Sequence, residues 1–147
     1  MAGVAWEAVK ARLVEALPAV VGSTVASYNG PVVTGQGPTA YLTIGTAPSR
    51  ANDEAGSFEQ AVGPDGFDVE ETGTVLCELG AVTGSTTIPS VFASFAAVAA
   101  WVQADMTLGG TLGKGSTCTV SAEVAQAQTG TGAVQRLVLS FNYFTRL

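Results

Sequence analysis

The chain has 147 residues, of which 47% are hydrophobic and only 12% charged; 12 acidic and 6 basic side chains give a formal net charge of −6, and there is no histidine. That length suits one domain, the apolar content is too high for wholesale disorder, and so few charges favour a surface partly hidden against partners. The cations Lys10, Arg12, Arg50, Lys114, Arg136 and Arg146 are scattered. Grip on nucleic acid or on an anionic membrane comes from clustered cations, so neither is expected as a bound partner.

In chain order, Trp6, Val9, Leu13 and Leu17 recur at helical spacing and predict a first helix ending at or just before Pro18, since proline inside a helix costs about 3 kcal/mol. The opening "MAGVAWEAVKARL" puts charges where a secretion signal has its apolar stretch, so export by such a signal is not expected. "STVASYNGPVV" reads as a short strand closed by the Asn29-Gly30-Pro31 turn, and "TAYLTIG", 39–45, as a second strand rich in β-branched and aromatic residues. From 46 to 68 neither period is present. This stretch reads as a long surface loop, with a brief strand at most over Ser57 to Ala61.

Alternation resumes in "VEETGTVLCELGAV", where Val75, Cys77 and Leu79 share one face, Thr74 and Glu78 the other, and Gly73 suggests a bulge or bend. "GSTTIPSVFASFAAVAAWVQAD" predicts a second helix, capped by Thr86 or Thr87, with Pro89 in its first turn and Val91, Phe95, Val98 and Val102 as its apolar stripe. Its run "VFASFAAVAAWV" is 12 residues long, short of the roughly 18 that a membrane span needs. After the glycine-rich "GGTLGKGST", the runs "TCTVSAEVAQAQ" and "AVQRLVLSFNYFTRL", joined through "TGTG", read as a β-hairpin. The expected architecture is α+β: a single mostly antiparallel β-sheet with two α-helices packed on one face, long projecting loops, and one domain over 1–147.

Chemistry is hard to find. "GGTLGKGST" imitates a phosphate loop, but that motif needs glycine where Leu108 stands and a hydroxyl where Gly115 stands. Without histidine, the Ser-His-Asp and Cys-His pairs are impossible. Cys77 and Cys118, 41 positions apart, fall on apolar strand faces and read as inert buried thiols, with too few ligands for zinc. Glu70 and Glu71 are neighbours on a strand and point to opposite sides, so they cannot converge on one substrate. Asp65, Asp68 and Glu70 lack the spacing of a calcium loop and read as solvated acids. No cofactor, no metal and no catalytic residue is expected, which leaves a structural or interaction protein as the best class.

The pieces "VVGSTVASYNGPVVTG", "YLTIGTA", "DEAGSF", "EETGTVLCEL", "ADMTLGGT" and above all "QAQTGTGAVQRLVLSFNYFTRL", in this order and spacing, resemble the tail terminator proteins of long-tailed phages of actinobacteria. The resemblance implies an α+β virion protein. Its copies form a ring, commonly of six subunits, at the neck-proximal end of the tail; the ring caps the tail tube, stops its polymerisation and offers the head-joining surface. It implies as partners further copies of itself, the major tail tube protein and a head-tail connector or stopper, with assembly in the host cytoplasm. DNA passes through the lumen without specific binding, and no membrane is involved. Within that frame the expected contact residues are Arg50, Asp53, Glu54, Phe58, Phe67, Leu108 and Lys114, on the segments 46–68 and 107–116. Asp65, Asp68, Glu70 and Glu71 are expected as an acidic lumen lining that repels phosphates. Another neck-ring subunit and a small-ligand binding module remain as alternatives.

Overall fold

The computed structural model describes residues 4–30, 40–48, 54–82, 88–113, 115–129 and 132–147, without the side chains of 126–129, 132 and 133. Its elements are α1 (Ala5–Val21), β1 (Ala26–Asn29), β2 (Ala40–Ile44), β3 (Gly56–Val62), β4 (Val69–Val82), α2 (Val91–Ala104), β5 (Thr117–Thr129) and β6 (Gly132–Arg146). One sheet has the order β1-β2-β4-β6-β5, with β3 also on β4. Only the β1–β2 pair is parallel; the others are antiparallel.

Alternation in the long strands decides which face receives the helices. Val75, Cys77 and Leu79 of β4 and Leu137, Leu139 and Phe141 of β6 share one buried cluster with Val9, Leu13 and Leu17 of α1 and Val91, Val98 and Val102 of α2. Both helices therefore cover the same face, as the sequence pattern implies. The opposite face, the open side, carries neither helix; there Ala47, Leu76 and Val138 form a small separate cluster, and Thr43 and Glu78 are buried too. This explains Leu76, the apolar residue out of phase on β4: a residue from the chain following β2 covers it.

Four local expectations change. Helix α1 continues past Pro18 to Val21. Placed in the last turn, proline forfeits only its own N–H, and the helix stops where Gly22, at φ 89°, donates its N–H to the Pro18 carbonyl at 3.1 Å. Helix α2 is capped by Ser90, whose Oγ accepts the Ala93 N–H, and Pro89 stands outside the helix; Thr86 and Thr87 lie outside the described residues.

The third change is larger. Within 46–68 the strand is longer than the brief one expected over Ser57 to Ala61: β3 spans Gly56–Val62 and forms a hairpin with β4. Strands β2 and β3 lie end to end along one edge of β4, which pairs 77–81 with the first and 69–75 with the second. The chain leaves this line at Gly45, which donates its N–H to the Leu76 carbonyl, and rejoins it at Ala55, whose carbonyl accepts the Leu76 N–H, both at 2.9 Å. One residue of β4 thus anchors both ends of the excursion.

Gly73 marks no bulge, because the registers on both sides of β4 run through it unbroken. It stands opposite Tyr143, and a Cβ there would fall inside the Tyr143 ring. Gly80 repeats the arrangement on the other face, beneath the ring of Tyr41. Substituting Gly73→Ala is expected to destabilise the fold by about 1–3 kcal/mol through displacement of that ring, measured by urea unfolding against wild type.

Candidate functional site

The part of the molecule least accounted for by its own core is the β3–β4 hairpin, an arm whose outer strand meets solvent on both faces. All seven residues of β3 are exposed. Its pairing places Phe58, Gln60 and Val62 opposite Gly73, Glu71 and Val69, hence on the helix side of the sheet. Phe58 is 48% exposed, Val62 66% and, in the connecting turn, Phe67 90%. Large apolar side chains held this far into water mark a contact surface better than scattered single ones do.

A buried carboxylate fixes the root of this arm. Glu71 is fully buried, and its Oε1 accepts the Ala5 N–H at 3.1 Å and the Gln60 amide at 2.8 Å, while its Oε2 accepts the Tyr143 hydroxyl at 2.6 Å. Residue Val4, at the cap position of α1, supplies no side-chain bond. Glu71 takes that place from another strand, presenting an anion to the positive end of the helix. Burial, then the bond to Glu71, pushes the Tyr143 phenol well above its ordinary value, so it remains a donor. Trp6, one residue further along α1, donates Nε1–H to the Thr74 carbonyl at 2.9 Å and ties helix to arm a second time.

The tip is a compact turn. Asp65 Oδ1 accepts the N–H groups of Phe67 and Asp68 at 3.0 and 3.1 Å, which holds its carboxyl down to about 2. Asp68 is raised by its hydrogen bond to Asp65 and that neighbour's charge. At neutral pH the tip is anionic. Arg146, itself exposed, approaches the half-buried Glu70 at 3.5 Å.

Of the residues anticipated for contacts, Glu54, Phe58 and Phe67 are exposed on or beside the arm, while Arg50, Asp53 and Lys114 lie outside the described residues. Leu108 is corrected: it is 1% exposed and part of the core, at φ 55°. The turn around it is not a loose glycine loop. Asp105 accepts the Thr107 N–H and hydroxyl and the Gly109 N–H, while Arg12 donates Nε–H to the Leu108 carbonyl at 3.1 Å. Burial of the leucine offsets a left-handed conformation that costs roughly 1–2 kcal/mol. Of the anticipated acidic lining, Asp65 and Asp68 are exposed and Glu70 is half-buried, but Glu71 is corrected: inside the protein it cannot face a lumen. Val62 is the exposed apolar residue of which the sequence gives no sign, because 46–68 shows neither period.

No reactive constellation accompanies the arm. Among the described residues there is no group of three potential metal ligands, and no helix is long and apolar enough to cross a membrane. Both cysteines are free and buried; desolvation pushes the thiol of Cys77 up to about 12 and that of Cys118 up to about 11. Two grooves lined by Ser57, Thr74 and Asn142 are open furrows beside the arm, not cavities between helices and sheet.

No family model and no curated protein matches the chain. Among solved structures, a chain from the virion of a native gene transfer agent particle is similar over 97% of this chain and 92% of that chain, at 13% identity and a TM-score of 0.43.

Replacing Glu71→Gln is expected to destabilise the protein by about 1–3 kcal/mol, with Tyr143→Phe non-additive to it in a double-mutant cycle read by chemical denaturation. Both thiols are expected to resist a thiol-specific reagent in the native state and to react at once in denaturant, followed by the absorbance of the released chromophore.

Proposed function

We propose that this chain is a structural virion subunit of the tail-terminator kind. Copies close into a ring, six in the form usual for that family, which caps the last layer of the tail tube, halts its polymerisation and leaves an outer surface for head joining. One observation carries this reading beyond the sequence resemblance. A rigidly rooted arm holds Phe58, Val62 and Phe67 in water, on a chain with little charge and with no reactive constellation among its described residues. Such an arm is built to be covered by protein.

The charge pattern supports the same role. The anionic tip with Asp65 and Asp68 belongs to a chain of formal charge −6, and that charge is multiplied around a ring. An acidic lumen holds DNA off its wall, since duplex DNA carries one negative charge per about 1.7 Å of axis. The protein then acts by shape and excluded association, and performs no bond-making.

In assembly reactions lacking this protein, tails are expected to grow to uncontrolled length, as seen by negative-stain electron microscopy. Adding back wild type restores a fixed length, and adding Phe58→Ser/Phe67→Ser restores it poorly. Tails of normal length in its absence contradict the terminator role.

A further inference from the structure

Among the described residues three strands have one neighbour only, β1, β3 and β5, and the longer two, β3 and β5, lie at opposite sides of the sheet. β5 ends one side, and β3 stands outermost on the arm at the other. Proteins that remain single normally blunt such edges with lysine, proline, a bulge or brevity. β5 uses none of these devices. It runs for 13 residues without proline, glycine, lysine or arginine, carries one charge at Glu123, and keeps an unbroken register against β6. β3 also keeps an unbroken register against its neighbour, with Glu59 as its single charge.

The two edges match in pattern. On the helix side of the sheet β5 presents Val120, Ala122 and Val124, the last 58% exposed, while β3 presents Phe58, Gln60 and Val62. On the open side β5 presents Thr119, Ser121 and Glu123, against Ser57, Glu59 and Ala61 of β3. Direction matches as well. β5 is antiparallel to β6, which is antiparallel to β4, so β5 runs parallel to β4, whereas β3 runs against it. Between copies related by rotation about an axis along the strands, the two edges meet antiparallel.

We infer that β5 of one copy pairs with β3 of a second copy of this chain, so that the sheet continues from subunit to subunit. Valines of one copy then flank Phe58 and Val62 of the next on one face, and hydroxyls with Glu59 and Glu123 line the other. Registers that oppose Glu59 to Glu123 are disfavoured by like charge. The contact joins two different patches, the kind that closes into a ring. The inference rests on the ring reading above and specifies its joint.

The test uses Ala122→Lys/Val124→Lys on β5 and Phe58→Lys/Val62→Lys on β3, with melting temperatures first shown equal to wild type. In sedimentation velocity at high micromolar concentration, wild type is expected as a ring-sized species and each variant as a monomer. An equal mixture of the two variants is expected as a dimer, because each retains one intact edge. Rings formed by either variant alone overturn the edge pairing while leaving the ring reading intact. A β3 variant that dimerises alone overturns it in favour of β5-to-β5 pairing. A wild-type chain that stays monomeric both free and on tube ends overturns ring and joint together.

Discussion

A carboxylate removed from water must find donors inside the protein, and Glu71 finds them on three elements. It receives a backbone N–H from the start of α1, an amide from β3 and a phenol from β6, while sitting itself on β4. An ionised group in this position is tolerated only when fully satisfied, so the four elements must come together at one point or not at all. The angle at which α1 enters, the register of the arm and the C-terminal strand are therefore fixed in common. The exposed part of the molecule is held by its most demanding buried one.

The same device occurs twice on β4. Glu71-Thr72-Gly73 and Glu78-Leu79-Gly80 each place a glutamate two residues before a glycine. In each case a tyrosine from the neighbouring strand lies over the glycine and donates its hydroxyl to the glutamate at 2.6 Å. Seven residues separate the two units, so alternation along the strand sends them to opposite faces. One ties the arm to α1; the other braces β2 against β4 on the open side. Such aromatic cover restores packing that a glycine in a strand would otherwise lose.

Periodicity revealed the helices, the long strands and the face that carries the core, because these are set by the spacing of apolar residues. It gave β3 only as a brief strand over Ser57 to Ala61 inside a long loop, because both faces of that strand meet solvent and show no alternation of burial to write into the sequence. Glu71 was legible as a neighbour pointing away from Glu70, but not as a buried group: its partners are 11, 66 and 72 positions distant. Leu108 was misread for a related reason. Its glycine neighbours suggest freedom, while Asp105 and Arg12 impose order. The exposed Phe58 and Phe67 were anticipated from their polar surroundings, which indicated a projecting segment even where the form of that segment was wrong.

The excursion between β2 and β3 begins and ends on the two backbone groups of Leu76. The Ala47 N–H also donates to the Glu54 carbonyl at 3.0 Å, so the two ends of the excursion are tied to each other as well as to β4, and a change of length between them obliges no strand to slide. Related chains are free to diversify there first.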